Sequence, residues 1–129
     1  MTSQPRQVLV VEDEWILADL IACALAEAGY AVVGPVADVS GGLDRLDQTQ
    51  IDAAILDVHL GDEDSFAIAQ ELMRRGIGFA FLSGYSARDI PATFAGVPLI
   101  RKPARIDEIR ATIESLLQGP RQRNINNSN

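Results

Sequence analysis

The chain has 129 residues, 47% of them hydrophobic and 22% charged, which fits one globular domain and excludes a disordered chain. Its 18 acidic and 11 basic residues give a net charge of −7, a poor balance for direct nucleic-acid binding, where phosphate neutralisation dominates affinity. No apolar run reaches the roughly 20 residues of a membrane span, the opening MTSQPRQ lacks a signal-peptide layout, and the single cysteine, Cys23, excludes an internal disulfide. The expectation is a soluble, cytoplasmic protein.

Gln7–Val11 (QVLVV) reads as a strand buried on both faces, ending abruptly at Glu12-Asp13-Glu14. Ile16, Leu17, Leu20, Ile21, Ala24, Leu25 and Ala28 then recur at helical spacing, with Gly29 as the stop and Cys23 as a packing residue. Tyr30–Val33 is a second strand, closed by Gly34-Pro35, and Ser40–Leu46 a helix weakened by Gly41 and Gly42. Ala53–Leu56 is a third strand ending at Asp57; Leu60–Asp64 is a loop, with Asp62-Glu63-Asp64 supplying a helix cap. Phe66, Ala69, Leu72 and Met73 mark a helix ending in a solvated Arg74-Arg75 pair and Gly76. Phe79–Leu82 is a fourth strand ending at Ser83-Gly84. The next stretch, Ser86–Phe94, is ambiguous because Pro91 interrupts any long helix. Pro98–Ile100 is a fifth strand, followed by Arg101-Lys102-Pro103. An amphipathic helix carrying Ile106, Ile109, Ile113, Leu116 and Leu117 ends at Gly119-Pro120. This is a (βα)₅ pattern: an α/β, doubly wound, five-stranded parallel sheet of flavodoxin-like order 2-1-3-4-5 over residues 6–118, with residues 119–129 a disordered polar tail.

Ligands of such sheets bind beyond the carboxyl ends of the strands, where strand order reverses. Those ends carry Glu12 and Asp13, Asp57, Ser83 and Lys102, the last being the only lysine among eleven cations. Crowded carboxylates repel one another and resist ionising. A hard divalent ion with oxygen ligands, Mg²⁺ above all, relieves that repulsion. A lysine beside it suits an incoming phosphoryl group, a serine hydroxyl donates to a phosphoryl oxygen, and an aspartate serves as nucleophile. Each residue alone has a plainer reading, as a helix start, a turn residue, a loop or a strand terminator. Their joint placement at the strand ends favours the chemical one.

The constellation resembles the receiver domain of two-component response regulators through VLVVEDE (Val8–Glu14), AILDVHL (Ala54–Leu60), FLSGY (Phe81–Tyr85) and RKPA (Arg101–Ala104). The resemblance implies Glu12 and Asp13 as the acidic pair for Mg²⁺, Asp57 as phosphoacceptor and metal ligand, and the His59 backbone carbonyl as a further ligand. It also implies Ser83 as the switch hydroxyl, Lys102 at the phosphoryl group, and a cis bond before Pro103. VVGPVADV (Val32–Val39), FLSGY and TFAGVPLIRKP (Thr93–Pro103) further resemble stand-alone receivers of alphaproteobacteria with an FATGY motif, in which Ala and Thr stand where this chain has Leu82 and Ser83. Such receivers work with HWE-type or related histidine kinases.

One departure concerns switching. The aromatic residue usual three positions before the lysine is replaced by Leu99, so Tyr85 is the candidate substitute and Tyr85–Gly96 the expected moving surface. His59 is a candidate for controlling water access to an acyl phosphate. The implied partners are a histidine kinase or histidine phosphotransfer protein and a downstream target, with homodimerisation open; nucleic acid and membrane are not expected. The implied function is a phosphorylation-controlled protein switch with no output domain, catalysing only reactions of its own aspartate. The alternatives are a phosphate sink or relay, and an interaction module independent of phosphorylation.

Overall fold

The computed structural model describes residues 4–84 and 90–118. The strands are β1 (Gln7–Val11), β2 (Ala31–Val36), β3 (Ala53–Asp57), β4 (His59–Leu60), β5 (Glu63–Asp64), β6 (Gly78–Ser83) and β7 (Leu99–Arg101). The α-helices among the described residues are α1 (Trp15–Glu27), α2 (Val39–Gln48), α3 (Phe66–Arg74) and α4 (Ile106–Gln118). Five strands form a parallel sheet in the order β2-β1-β3-β6-β7. With the β4–β5 hairpin set aside, this is the expected order 2-1-3-4-5.

Strand alternation divides the core in two. Leu9, Val11, Ala54, Leu56, Phe79 and Phe81 face one way, onto Leu46 of α2 and Ile68, Ala69 and Leu72 of α3. Val8, Val10, Ala53, Ile55, Ala80 and Leu82 face the other, onto Ile21 and Leu25 of α1 and Ile109, Ile113 and Leu117 of α4. A sheet covered on both faces needs apolar residues at every position of its central strands, which is why QVLVV and AAIL are continuous runs.

Several elements differ from the sequence reading. β2 does not close at Gly34-Pro35 but runs on to Val36, through a register shift that pairs Val11 with Val36. Gly34 has φ 97°, and a Cβ there would stand 2.8 Å from Val36 N and 3.0 Å from Val10 O, so only glycine fits. Both Gly34-Pro35 and Lys102-Pro103 are cis; the second agrees with the family resemblance. The helical stripe of α1 is narrower than its apolar residues suggest: Ile21, Ala24 and Leu25 are buried, while Ile16 (67%) and Leu20 (54%) are exposed. Cys23 is likewise exposed rather than packed.

The Leu60–Asp64 segment is part of an antiparallel hairpin, with His59 opposite Asp64 and Leu60 opposite Glu63. Its acidic run does supply a cap, since Asp64 Oδ1 accepts from Phe66 N at 3.1 Å. Glu63 reaches further and accepts from Val39 N at the start of α2 (3.1 Å). Gly42 weakens α2 intrinsically, yet a Cβ there would meet Ile68 Cδ1 at 2.5 Å, so it permits the close approach of α2 and α3. Arg75 is not simply solvated. It donates to Leu46 O and Asp47 Oδ1, both at 2.7 Å, and to Glu71, tying the ends of α2 and α3 together.

Between β6 and β7 the described residues form one 3₁₀ turn, Ala92–Phe94, opened by Pro91. Tyr85 lies outside the described residues, as do residues 86–89 of the Ser86–Phe94 segment. Phe94 is buried and stacks on Phe66 with ring centroids 5.7 Å apart, with Phe81 edge-on at 5.6 Å. The far end of the expected moving surface is therefore pinned. Replacing Phe94 with Ala should cost about 3–5 kcal/mol of stability. A urea-unfolding midpoint within error of wild type would show that the aromatic cluster does not fix this segment.

Candidate functional site

In a parallel sheet every strand delivers its last residue to the same edge. The register pairs Val11 with Leu56 and Asp57 with Leu82, so Glu12, Asp57 and Ser83 follow one another across β1, β3 and β6. Ser83 pairs with Arg101, which brings Lys102 to the next place. Backbone bonds extend this order beyond the strands: Glu12 N donates to Val36 O, Val58 N to Leu82 O and Lys102 N to Ser83 O, each at 2.9 Å. Glu12, Asp57 and Ser83 are buried, whereas Asp13 and His59 are exposed.

Lys102 joins the acids. Its Nζ lies 2.9 Å from Asp57 Oδ2, 3.1 Å from Glu12 Oε1 and 3.0 Å from Glu14 Oε1. Burial lowers the lysine pKa, but hydrogen bonds to Asp57 and Glu14 and the charges of Asp57 and Glu12 outweigh it and hold Lys102 above its ordinary range. Glu12 is also raised, which for a carboxylate favours the neutral form. Burial raises it from 4.5 to about 7; the bond from Glu14 N opposes this, the nearness of Asp57 adds to it and Lys102 offsets part.

One carboxylate oxygen from each of Glu12, Asp13 and Asp57 falls within a group spanning at most 4.8 Å. Glu12 Oε1, although close to Lys102, accepts no hydrogen bond among the described residues. A buried oxygen in that state, among acids drawn together, fits an oxygen-ligated divalent cation such as Mg²⁺. The opposite wall of the cleft comes from the hairpin. Gly61 N donates to Asp13 Oδ2 at 3.0 Å, and His59 N points to Asp57 Oδ1 at a longer 3.4 Å.

The structure thus brings together Glu12, Asp13, Asp57, Ser83 and Lys102, sets His59 on the rim and shows the cis bond at Pro103. The sequence reading left Glu14 and Gly61 without a role. Glu14 stood in the acidic triplet, but only the first two members were matched to the site; Gly61 acts through its backbone, which no side-chain pattern reveals.

The chain matches the family model "Response regulator receiver domain" over residues 8–114. It belongs to the response regulator receiver domain family. Among solved structures, SdrG from Sphingomonas melonis Fr1 is 37% identical, with a TM-score of 0.77 over 90% of this chain and 99% of that one. SdrG is also known in a BeF3-activated conformation, at TM-score 0.73. A CheY-like receiver from Methanospirillum hungatei, 21% identical, superposes with a TM-score of 0.81 over 92% of this chain and 98% of that one, and shares the fold. The transcriptional regulatory protein PdtaR of Mycobacterium tuberculosis is 31% identical over 85% of this chain and 56% of its own length. The chain spans about half the length of the curated relatives it matches. No helix among the described residues is long and apolar enough to cross a membrane.

The raised Glu12 pKa gives this receiver domain a pH signature in the absence of metal. The unfolded chain releases this proton near 4.5 and the fold near 7, so the folded state holds more protons between those values. The stability from protonated Glu12 is complete below pH 4.5 and is lost as pH rises through about 7. Urea unfolding in chelator should show a decline of roughly 1–3 kcal/mol across that window. Glu12→Gln should flatten it; an unchanged slope would remove Glu12 as its source.

Proposed function

We propose that this receiver domain is a phosphorylation switch in which Asp57 takes a phosphoryl group from a phosphohistidine of a histidine kinase or histidine phosphotransfer protein. The observation that carries the reading is the Lys102 ammonium 2.9 Å from the buried Asp57 carboxylate, beside Glu12 and Asp13. SdrG has a BeF3-activated form, which supports phosphorylation at this site, and the nearly end-to-end match to its solved chain supports the narrower stand-alone class.

In the proposed reaction a carboxylate oxygen of Asp57 attacks phosphorus. An Asp57 O–P bond forms, the P–N bond breaks, and its electron pair leaves with the imidazole, which takes up a proton. Lys102 turns one N–H from Asp57 Oδ2 to a phosphoryl oxygen, and the Ser83 hydroxyl donates to another. Glu12, Asp13, Asp57 and the His59 carbonyl would hold Mg²⁺, which when bound supplies positive charge against the charge of the transfer. Water later cleaves the acyl phosphate and restores Asp57, with exposed His59 at the rim that water crosses. The protein acts on its own side chain and not on a pool of substrate.

A protein donor is favoured by the surface beside the cleft. Trp15 (76%), Ile16 and Leu20 form an exposed apolar patch on the first half of α1, and Trp15 adjoins Glu12 and Asp13. The output is protein binding controlled by the state of Asp57, within the cytoplasm. Tyr85 is the proposed aromatic coupling residue, because Leu99 offers no ring three positions before Lys102.

Purified protein incubated with Mg²⁺ and phosphoramidate should gain one phosphoryl group by intact mass. Asp57→Asn and excess chelator should each abolish the gain. A species lasting minutes supports the switch, and decay within seconds moves the reading to a phosphate sink. No gain in wild type would leave the phosphorylation-independent module.

A further inference from the structure

Glu14 occupies the N-cap position of α1, with extended backbone at φ −81° and ψ 102°, yet its side chain makes no capping hydrogen bond. Short side chains such as Ser, Asp and Asn are preferred there because they reach the first backbone N–H groups. The Glu14 carboxylate instead lies 3.0 Å from Lys102 Nζ, across 88 residues of sequence. An ammonium has three N–H donors, and three carboxylates surround this one: Asp57, Glu12 and Glu14. Asp57 and Glu12 belong to the group that fits a divalent cation, and Glu14 does not. When a cation and a phosphoryl group claim the oxygens of Asp57 and Glu12, Glu14 is the carboxylate partner of Lys102 that neither has engaged.

We infer that Glu14 is a positioning residue for phosphoryl transfer, a tether that holds the Lys102 ammonium over Asp57 while its other two carboxylate partners are taken. This rests on the proposed chemistry of Asp57. Glu14 touches neither the acceptor nor the metal group; it acts through Lys102. Its carboxylate is 65% exposed and Lys102 only 20%, so the pair is partly screened and its effect on rate is no more than about fivefold. The competing expectation has the opposite sign: a carboxylate at the mouth of the cleft repels an anionic donor, and its removal speeds the reaction.

The test measures the initial rate of phosphorylation by phosphoramidate with saturating Mg²⁺, followed by intact mass. It compares wild type, Glu14→Gln, Lys102→Ala and the double variant, with long incubations for the two that lack the lysine. The tether predicts Glu14→Gln about two- to fivefold slower than wild type, and no further effect of Glu14→Gln once Lys102 is alanine. Urea midpoints of wild type and Glu14→Gln should coincide, because Glu14 caps nothing. An unchanged or faster Glu14→Gln protein overturns the tether, as does an equal slowing in the Lys102→Ala background. Wild type labelled at Asp57 with no slowing in Glu14→Gln defeats the tether alone. Wild type that takes no phosphoryl group defeats the Asp57 reading and the tether with it.

Discussion

The site depends on one ammonium shared among buried acids. Asp57 and Glu12 lie in the protein interior at the end of a sheet, where an unpaired carboxylate is costly. Lys102 is 45 residues from Asp57 and 90 from Glu12, and no local structure brings them together. The parallel sheet does, because all its strands point to one edge and its register fixes which ends are neighbours. A slip of one residue in β3 would turn Asp57 to the opposite face and leave Lys102 with Glu12 as its one buried partner among those acids. Electrostatics and topology therefore constrain each other: the fold makes the cluster, and the cluster tolerates only that register.

Burial holds the Glu12 pKa up and the nearness of Asp57 adds to it, so Lys102 offsets the cost of gathering these acids without abolishing it. A pair matched in number and closed to solvent would be inert. Here the acids outnumber the cation, one Glu12 oxygen accepts no hydrogen bond among the described residues, and Asp13 is exposed. That surplus of negative charge suits the edge to a further positive ion and ties site chemistry to fold stability through the same side chains.

Much of this was legible in the sequence because buried strands and the residues that end them leave separate marks. Continuous apolar runs at Val8–Val11 and Ala53–Leu56 can only be central strands, and the abrupt change to Glu12-Asp13 and Asp57 marks the edge. The remainder was hidden for identifiable reasons. The β4–β5 hairpin has two residues per strand and a polar composition, so no periodicity announces it. Gly34-Pro35 carries two turn residues, yet the chain bulges there and rejoins the sheet. Ile16 and Leu20 are spaced like core residues but fall to one side of the α1 face that carries Ala18, Ile21 and Leu25, so they stay exposed. Glu14 was passed over because its partner is distant and its own position reads as a helix start.

The residue three positions before Lys102 is the aliphatic Leu99. Leu99 sits half-buried opposite Phe81, inside an aromatic cluster that Phe94 completes. A ring held edge-on by its neighbours reports no rotamer change without breaking those contacts, so the cluster behaves as a wall. The backbone bond from Lys102 N to Ser83 O remains as the connection between the two groups that would meet a phosphoryl group. A pull on Lys102 and a pull on Ser83 then act on the same ladder from opposite sides. The start of α1 carries the exposed apolar patch beside the site, while β6 ends at Ser83 and β7 leads into Lys102.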